Sequence, residues 1–381
     1  MATLIFVGVI ATFSGPIAAR PPNAPPGDGP DRVRADQWHL TTLNSGDANE
    51  ISQGEGITVA VPDTGVYPHP DLRANLLRGI DLINGGGGGD GQSDQNSHGT
   101  GMAGLIAAHG REGGRGARGI APKAKILPII SSTIDNQSSP DNLGRAIGYA
   151  VSSGAGVISI SSAGGSSPAL RRAIREALLA NIVVVAAAGN RPADTEVGYP
   201  ASEDGVLAVG GVDKTGTHAA VSVTGPEIDV VAPAVDIYST SIDGKYRKGT
   251  GTSDATAIVA GAAALIRSKY PYLPAREVAH RLTATAVDKG PPGRDDEYGY
   301  GVIDLVAALT ADVPPLGFES VSAPAGAGPT TTAGAQPDDE SDGATARGLA
   351  TLGVIVAVGV GWAVMARRRR RGDDPPPRIS R

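Results

Sequence analysis

Residues 249–261 read Gly-Thr-Gly-Thr-Ser-Asp-Ala-Thr-Ala-Ile-Val-Ala-Gly, a glycine-rich turn running straight into a small, apolar segment that ends near Tyr270. Small side chains such as Ala262, Ala263 and Ala264 let a helix there pack closely under a sheet, so this stretch asks for a buried helix in a layered fold. Ser253 then falls in the first turn. The unpaired N–H groups and partial positive charge of a helix N-terminus favour an anion at that place. A serine N-cap on a core helix has the same local pattern and no chemistry. The rest of the chain decides between the two.

Buried strands are expected at residues 56–61, 124–130, 156–161, 181–188, 205–212 and 228–232. Helices are expected from Ser97 onward, over 141–152 and 168–180, through the small-residue segment, and over 275–286. Strands alternating with helices predict a three-layer α/β fold: a mostly parallel central sheet with helices on both faces. One C-terminal transmembrane helix is expected in addition. The chain has 381 residues, enough for one large domain plus tails. Its formal charge of -6 does not suggest a nucleic-acid partner. The absence of cysteine excludes disulfides, thiol catalysis and Cys-ligated zinc.

The two ends indicate the compartment. Residues 4–13 are apolar but too short to span a bilayer, and the small residues after them resemble a signal-peptidase site, so 1–19 reads as a signal peptide. A Pro/Gly-rich linker is expected over 20–31, and the folded domain over 32–310, beginning with an N-terminal arm that carries Gln37-Trp38-His39-Leu40. Residues 311–347, rich in Pro, Ala, Gly, Thr and acid, read as a disordered linker. Residues 348–366 contain no charge and are about long enough to cross a membrane. The five arginines of 367–371 follow at once and predict a cytoplasmic tail over 367–381, with the folded domain outside the cell membrane.

Four polar residues stand at the ends of these elements. Asp63 follows one strand, His98 begins one helix, Asn190 follows a central strand, and Ser253 begins the small-residue helix. Ligands and catalytic groups gather at strand ends in open α/β sheets. Nucleophilic acyl transfer needs a hydroxyl, a base to take its proton, a carboxylate to hold the imidazole, and donors for the oxyanion. The Asn190 amide and the Ser253 N–H could supply those donors. An α/β-hydrolase is disfavoured, because there the serine precedes the acid and the histidine.

On these residues the chain resembles the subtilisin-type serine proteases. The motifs are Val59-Ala60-Val61-Pro62-Asp63-Thr64-Gly65-Val66 with His69-Pro70-Asp71-Leu72, His98-Gly99-Thr100, Ala186-Ala187-Ala188-Gly189-Asn190, Gly251-Thr252-Ser253 and the closing Gly299-Tyr300-Gly301-Val302-Ile303-Asp304. A narrower resemblance is to mycosins, the membrane-anchored subtilases of type VII secretion. It rests on the Gln37-Trp38-His39-Leu40 arm, the lack of room for a pro-domain, and the C-terminal span with its Arg tail. The family pattern implies that Asp63 orients His98, that His98 is general base and then acid, that Ser253 is the nucleophile, and that Asn190 binds the oxyanion. It also implies that Ser161, Ser162 and Ala163 help bind substrate, with residues 156–161 as the strand along which substrate backbone pairs.

The resemblance implies a membrane-anchored extracellular endopeptidase acting on protein or peptide substrates, with type VII secretion components as partners. The alternative is an inactive pseudo-protease serving as a structural part of the secretion machinery. Gly101, Asp254, Ala257 and the Ser161-Ser162-Ala163 segment depart from the usual family residues. Asp254 is expected to raise the His98 pKa and to point away from the cleft. No cofactor is expected. The acidic loops with Asp90 and Asp94, and with Asp295, Asp296 and Glu297, match no calcium motif and read as solvated.

Overall fold

Continuous runs of Val, Ile and Ala with no polar alternation form strands covered on both faces, and these runs build the centre of the protein. The computed structural model describes residues 29–83, 88–135 and 138–317. Seven parallel strands form one sheet in the order β2-β5-β1-β6-β7-β8-β9. They are β1 (Thr58–Asp63), β2 (Ile80–Asp81), β5 (Lys125–Ile130), β6 (Val157–Ile160), β7 (Val183–Ala187), β8 (Leu207–Val212) and β9 (Val230–Pro233). Side chains alternate between two cores, as strand geometry requires. Val59, Val61, Val157, Val183 and Val185 join one core; Ala60, Ile158, Ile160, Val184 and Ala186 join the other.

The first core is closed by α4 (His98–Ala107) and α7 (Thr252–Lys269), the second by α5 (Pro140–Ser152) and α6 (Pro168–Leu179). Ser139 and Ser167 cap α5 and α6, accepting from the N–H groups of Asn142 and Leu170 at 3.1 Å, with proline at the first helical position of each. Helix α7 runs under β6 to β9. Glycine lets α7 also lie close to the segment before β5: a Cβ at Gly261 would stand 2.8 Å from Ile120 Cβ. Helices α8 (Ala275–Ala284) and α9 (Leu305–Thr310) pack against α7.

Chain order leaves β1 flanked by β5 on one side and β6 on the other, with the chain later proceeding only outward from β6. This is a topological switch point, and Asp63 is the last residue of β1.

Several elements differ from the sequence expectation. The Pro/Gly-rich linker expected through residue 31 gives way earlier, because Pro30 and Asp31 already belong to α1 (Pro30–Asp36), with proline favoured at a helix start. The N-terminal arm is helical, continuing in α2 (Trp38–Thr42) and α3 (Ser45–Ile51). Two antiparallel hairpins were not expected: β3 (His109–Arg111) with β4 (Arg115–Arg118), and β10 (Ile237–Thr240) with β11 (Tyr246–Gly249). The expected signal peptide, residues 318–347 of the linker, the span at 348–366 and the Arg-rich tail lie outside the described residues, as do residues 84–87 of the polyglycine loop. Among the described residues no helix is long and apolar enough to cross a membrane.

Candidate active site

Asp63 is held at the end of β1 with its carboxylate buried, and Thr64 N donates to Asp63 Oδ1 at 2.7 Å. His98 Nδ1 lies 2.9 Å from both carboxylate oxygens. Glycine at position 99 permits this approach: a Cβ there would stand 2.1 Å from the Gly65 carbonyl oxygen and 3.1 Å from Asp63 Cβ. Gly65 itself sits at φ +105, where L side chains are strained. From Gly99 to Ala107 helix α4 is buried throughout, so His98 alone among its residues reaches the surface. Burial pulls the imidazole pKa down, but the charge and hydrogen bond of Asp63 more than offset it, and the net shift is upward. Arg247 lowers it and Asp254 raises it as smaller contributions.

Helix α7 presents Ser253 in the same way. Every residue from Thr252 to Ile266 is buried except Ser253. Its hydroxyl donates to the carbonyl oxygen of Ser161 at 2.9 Å, and Ser161 Oγ donates back to the Ser253 carbonyl at 3.2 Å. His98 Nε2 makes no hydrogen bond among the described residues, so the structure joins Asp63 to His98 but leaves the serine hydroxyl on Ser161. Asn190 Oδ1 accepts from Thr252 N at 2.9 Å and from Thr252 Oγ1 at 3.3 Å. With Oδ1 so engaged, the Nδ2 group remains a donor with no hydrogen-bond partner among the described residues. A Cβ at position 251 would lie 3.3 Å from Asn190 Oδ1, close enough that the amide would have to shift by a few tenths of an ångström. The Asn190 backbone N–H donates to Asp194 Oδ2 at 2.7 Å.

The substrate strand expected at residues 156–161 needs correction. Strand β6 is interior, with β1 and β7 on its two sides, and offers no free edge for pairing. The chain leaves the sheet at Ser161, which is buried, while Ser162 and Ala163 are half-buried and Gly164 exchanges backbone hydrogen bonds of 2.9 and 3.0 Å with Tyr199. A backbone edge for a peptide exists only beyond the strand end.

Asp94 is also corrected. It is not a solvated loop residue but is buried. Its Oδ1 accepts from Thr64 Oγ1, Asn96 N and Ser97 N, and its Oδ2 from Thr100 N and Thr100 Oγ1, at 2.6 to 3.0 Å. This carboxylate ties the Asp63 turn to the first turn of α4, and sequence reasoning missed it. The signal was present as an acid four residues before His98 in a Ser/Asn-rich turn, a setting for local backbone capture. Asp254 is buried too, 3.4 Å from Arg247 Nη1 on the β11 side of α7. Burial raises its pKa, with Arg247 and His98 pulling the other way.

No group of three or more His, Asp or Glu among the described residues is arranged to hold a metal. A cavity of about 520 Å³ lined by Glu203, Asp229, Arg276, His280 and Tyr300 shares no residue with the site.

A carboxylate-held imidazole and a half-buried serine on an otherwise buried helix thus stand at the carboxyl ends of one parallel sheet. The sequence pattern of the subtilase family matches residues 54–301, and the chain belongs to that family; it is a serine endopeptidase. Subtilisin DY of Bacillus licheniformis is 38% identical over 67% of this chain and 92% of its own length. Within the family the chain is of the mycosin type. Mycosin-1 of Mycobacterium tuberculosis is 34% identical over 87% of this chain and 84% of its own length. Among solved structures, the serine protease MycP1, an essential component of the type VII (ESX-1) secretion system, superposes with a TM-score of 0.67 at 33% identity, covering 75% of this chain and 90% of that one. MycP1 from Mycobacterium smegmatis gives 0.64 at 30% identity, covering 73% and 85%.

Proposed function

We propose that the chain hydrolyses peptide bonds through Ser253, His98 and Asp63, outside the cell membrane, on proteins handled by a type VII secretion system. The observation that carries this reading is the Asp63–His98 hydrogen bond at the switch point, together with a helix that buries every residue of its first turns except Ser253. In the proposed reaction the Ser253 hydroxyl leaves the Ser161 carbonyl and turns to His98 Nε2. The imidazole takes the proton as Oγ attacks the scissile carbonyl, and Asp63 stabilises the imidazolium. Asn190 Nδ2 and the Ser253 N–H receive the oxyanion. His98 then protonates the leaving amine, and water repeats the sequence on the acyl-enzyme. Substrate backbone pairs with residues 161–163, at the end of β6, rather than along the strand.

The membrane anchor is supported by the uncharged residues 348–366 and the arginines after them, and the secretion context by the mycosin relatives. Treatment of the full chain with a fluorophosphonate is expected to modify wild type at Ser253 and to leave Ser253→Ala unmodified. Peptide-library cleavage should follow the same pattern. A folded wild type that takes no label and cleaves nothing would refute the catalytic assignment and favour a structural role in secretion.

A further inference from the structure

Two departures from the usual subtilase residues, Gly101 and Asp254, meet at one place. Asp254, next after Ser253, is 2% exposed, and its salt-bridge partner among the described residues is Arg247 of β11, with Nη1 at 3.4 Å. Arg247 reaches it through a slot that two glycines leave open. A Cβ at Gly101 would stand 2.4 Å from Arg247 Nη1 and 2.7 Å from its Cδ. A Cβ at Gly249 would stand 2.5 Å from Arg247 Nη2 and 2.7 Å from both Asp254 oxygens. Side chains at either position would displace the Arg247 guanidinium from its present place beside Asp254.

The hairpin that carries Arg247 is also fastened to the histidine helix. Ser239, register partner of Arg247, donates through Oγ to the Gly101 carbonyl at 2.7 Å, and Thr240 Oγ1 donates to the Thr100 carbonyl at 2.7 Å. A Cβ at Gly104 would meet Thr240 Oγ1 at 2.1 Å, so α4 and the hairpin are in direct contact. One side of the hairpin thus holds the helix of His98, and Arg247 holds the helix of Ser253.

We infer that Arg247 and Asp254 form a compensated charge pair that positions the Ser253 helix against His98 and keeps either charge from acting alone on the reacting groups. The inference rests on the catalytic reading of Ser253 and His98. The charged groups facing His98 are Asp63 from β1, Asp254 from α7 and Arg247 from β11; those facing Asp254 are Arg247 and His98. Cation and anion push the imidazole in opposite directions, so removal of one leaves the other unopposed. A buried carboxylate that loses its partner is also unpaired in a low-dielectric site, which is worse than removal of both charges.

The test is a double-mutant cycle on the full chain with Arg247→Gln, Asp254→Asn and the pair of substitutions together. Two readouts are needed: kcat/KM on a cleavable peptide, and the His98 titration midpoint followed by NMR. Each single variant is expected to lose about tenfold in kcat/KM, and the double variant to return to within about threefold of wild type. Asp254→Asn should lower the His98 midpoint, because Arg247 then acts unopposed, and the double variant should restore it. Losses that add in the double variant, or a His98 midpoint unmoved by Asp254→Asn, would overturn the inference. Should Arg247→Gln fail to fold, Asp254→Asn and the double variant, which bury no unpaired anion, still decide. Absence of a fluorophosphonate adduct on wild-type Ser253 would remove the catalytic reading alone, since the His98 titration does not depend on turnover.

Discussion

Burial alone would push the His98 pKa down, and the Asp63 carboxylate reverses that. Activity requires the neutral imidazole, so kcat/KM is expected to fall as pH drops through a midpoint above the ordinary value of 6.5. A pH profile of kcat/KM on a peptide substrate measures it, and an acidic limb below the ordinary histidine range would contradict the geometry. The same raised pKa contributes stability that is present below the unfolded value and is lost as pH rises through the folded one. Asp94 is the second residue on which the site depends. Asp94→Ala leaves the Thr64 and Thr100 hydroxyls and three backbone N–H groups short of an acceptor. A loss of about 3 kcal/mol or more in urea unfolding is expected, with kcat/KM reduced because the His98 turn loses its tether. Asp94→Asn keeps one acceptor oxygen and should be milder on both measures.

At the scale of elements, the N-terminal helices are bound to the domain by specific polar contacts. The Gln37 amide donates to the carbonyls of Arg118 and Tyr238 and accepts from Arg118 N, at 2.9 to 3.1 Å. His39 beside it is fully buried with both ring nitrogens unpaired, and burial pushes its pKa down to about 3. Its contribution is fully present above the unfolded pKa and is lost as pH falls below it. The unfolding free energy should therefore decline toward pH 5, and His39→Leu should reduce that decline by about 2 kcal/mol between pH 7 and pH 5. An unchanged difference between the two pH values would show that the arm opens to solvent. These helices were not legible in the sequence because segments of five to seven residues hold too few turns for a periodic pattern. The sheet was legible because β7 and its neighbours are continuous apolar runs with no competing reading. The β10–β11 hairpin was missed because its residues alternate poorly and its turn is Asp-Gly-Lys within a polar stretch. That omission hid Arg247, and with it the reason Asp254 and Gly101 are tolerated together. Asp63, His98, Asn190 and Ser253 stood out because each follows or opens an apolar run.

At the scale of the whole molecule, the site is assembled from β1, α4, the turn after β7 and α7, all within the described residues. Residues 348–366 contain no charged side chain, and moving such a segment out of lipid exposes its apolar surface to water, at about 0.8 kcal/mol per CH₂ group. In the proposed arrangement residues 348–366 cross the membrane, the arginines of 367–371 resist crossing, and the peptidase domain stands on the far side. Deletion of residues 348–381 should then move the protein from the membrane pellet to the soluble exported fraction, with kcat/KM on small peptides unchanged. Cleavage of a secretion substrate in cells should fall, because tethering raises the effective concentration of enzyme beside the secretion machinery and a free enzyme lacks it. Retention of the shortened chain in the pellet would place the attachment in the folded domain. Loss of peptide hydrolysis by the shortened chain would mean that the C-terminal stretch supports the site directly, against the proposed role of that stretch as an anchor alone.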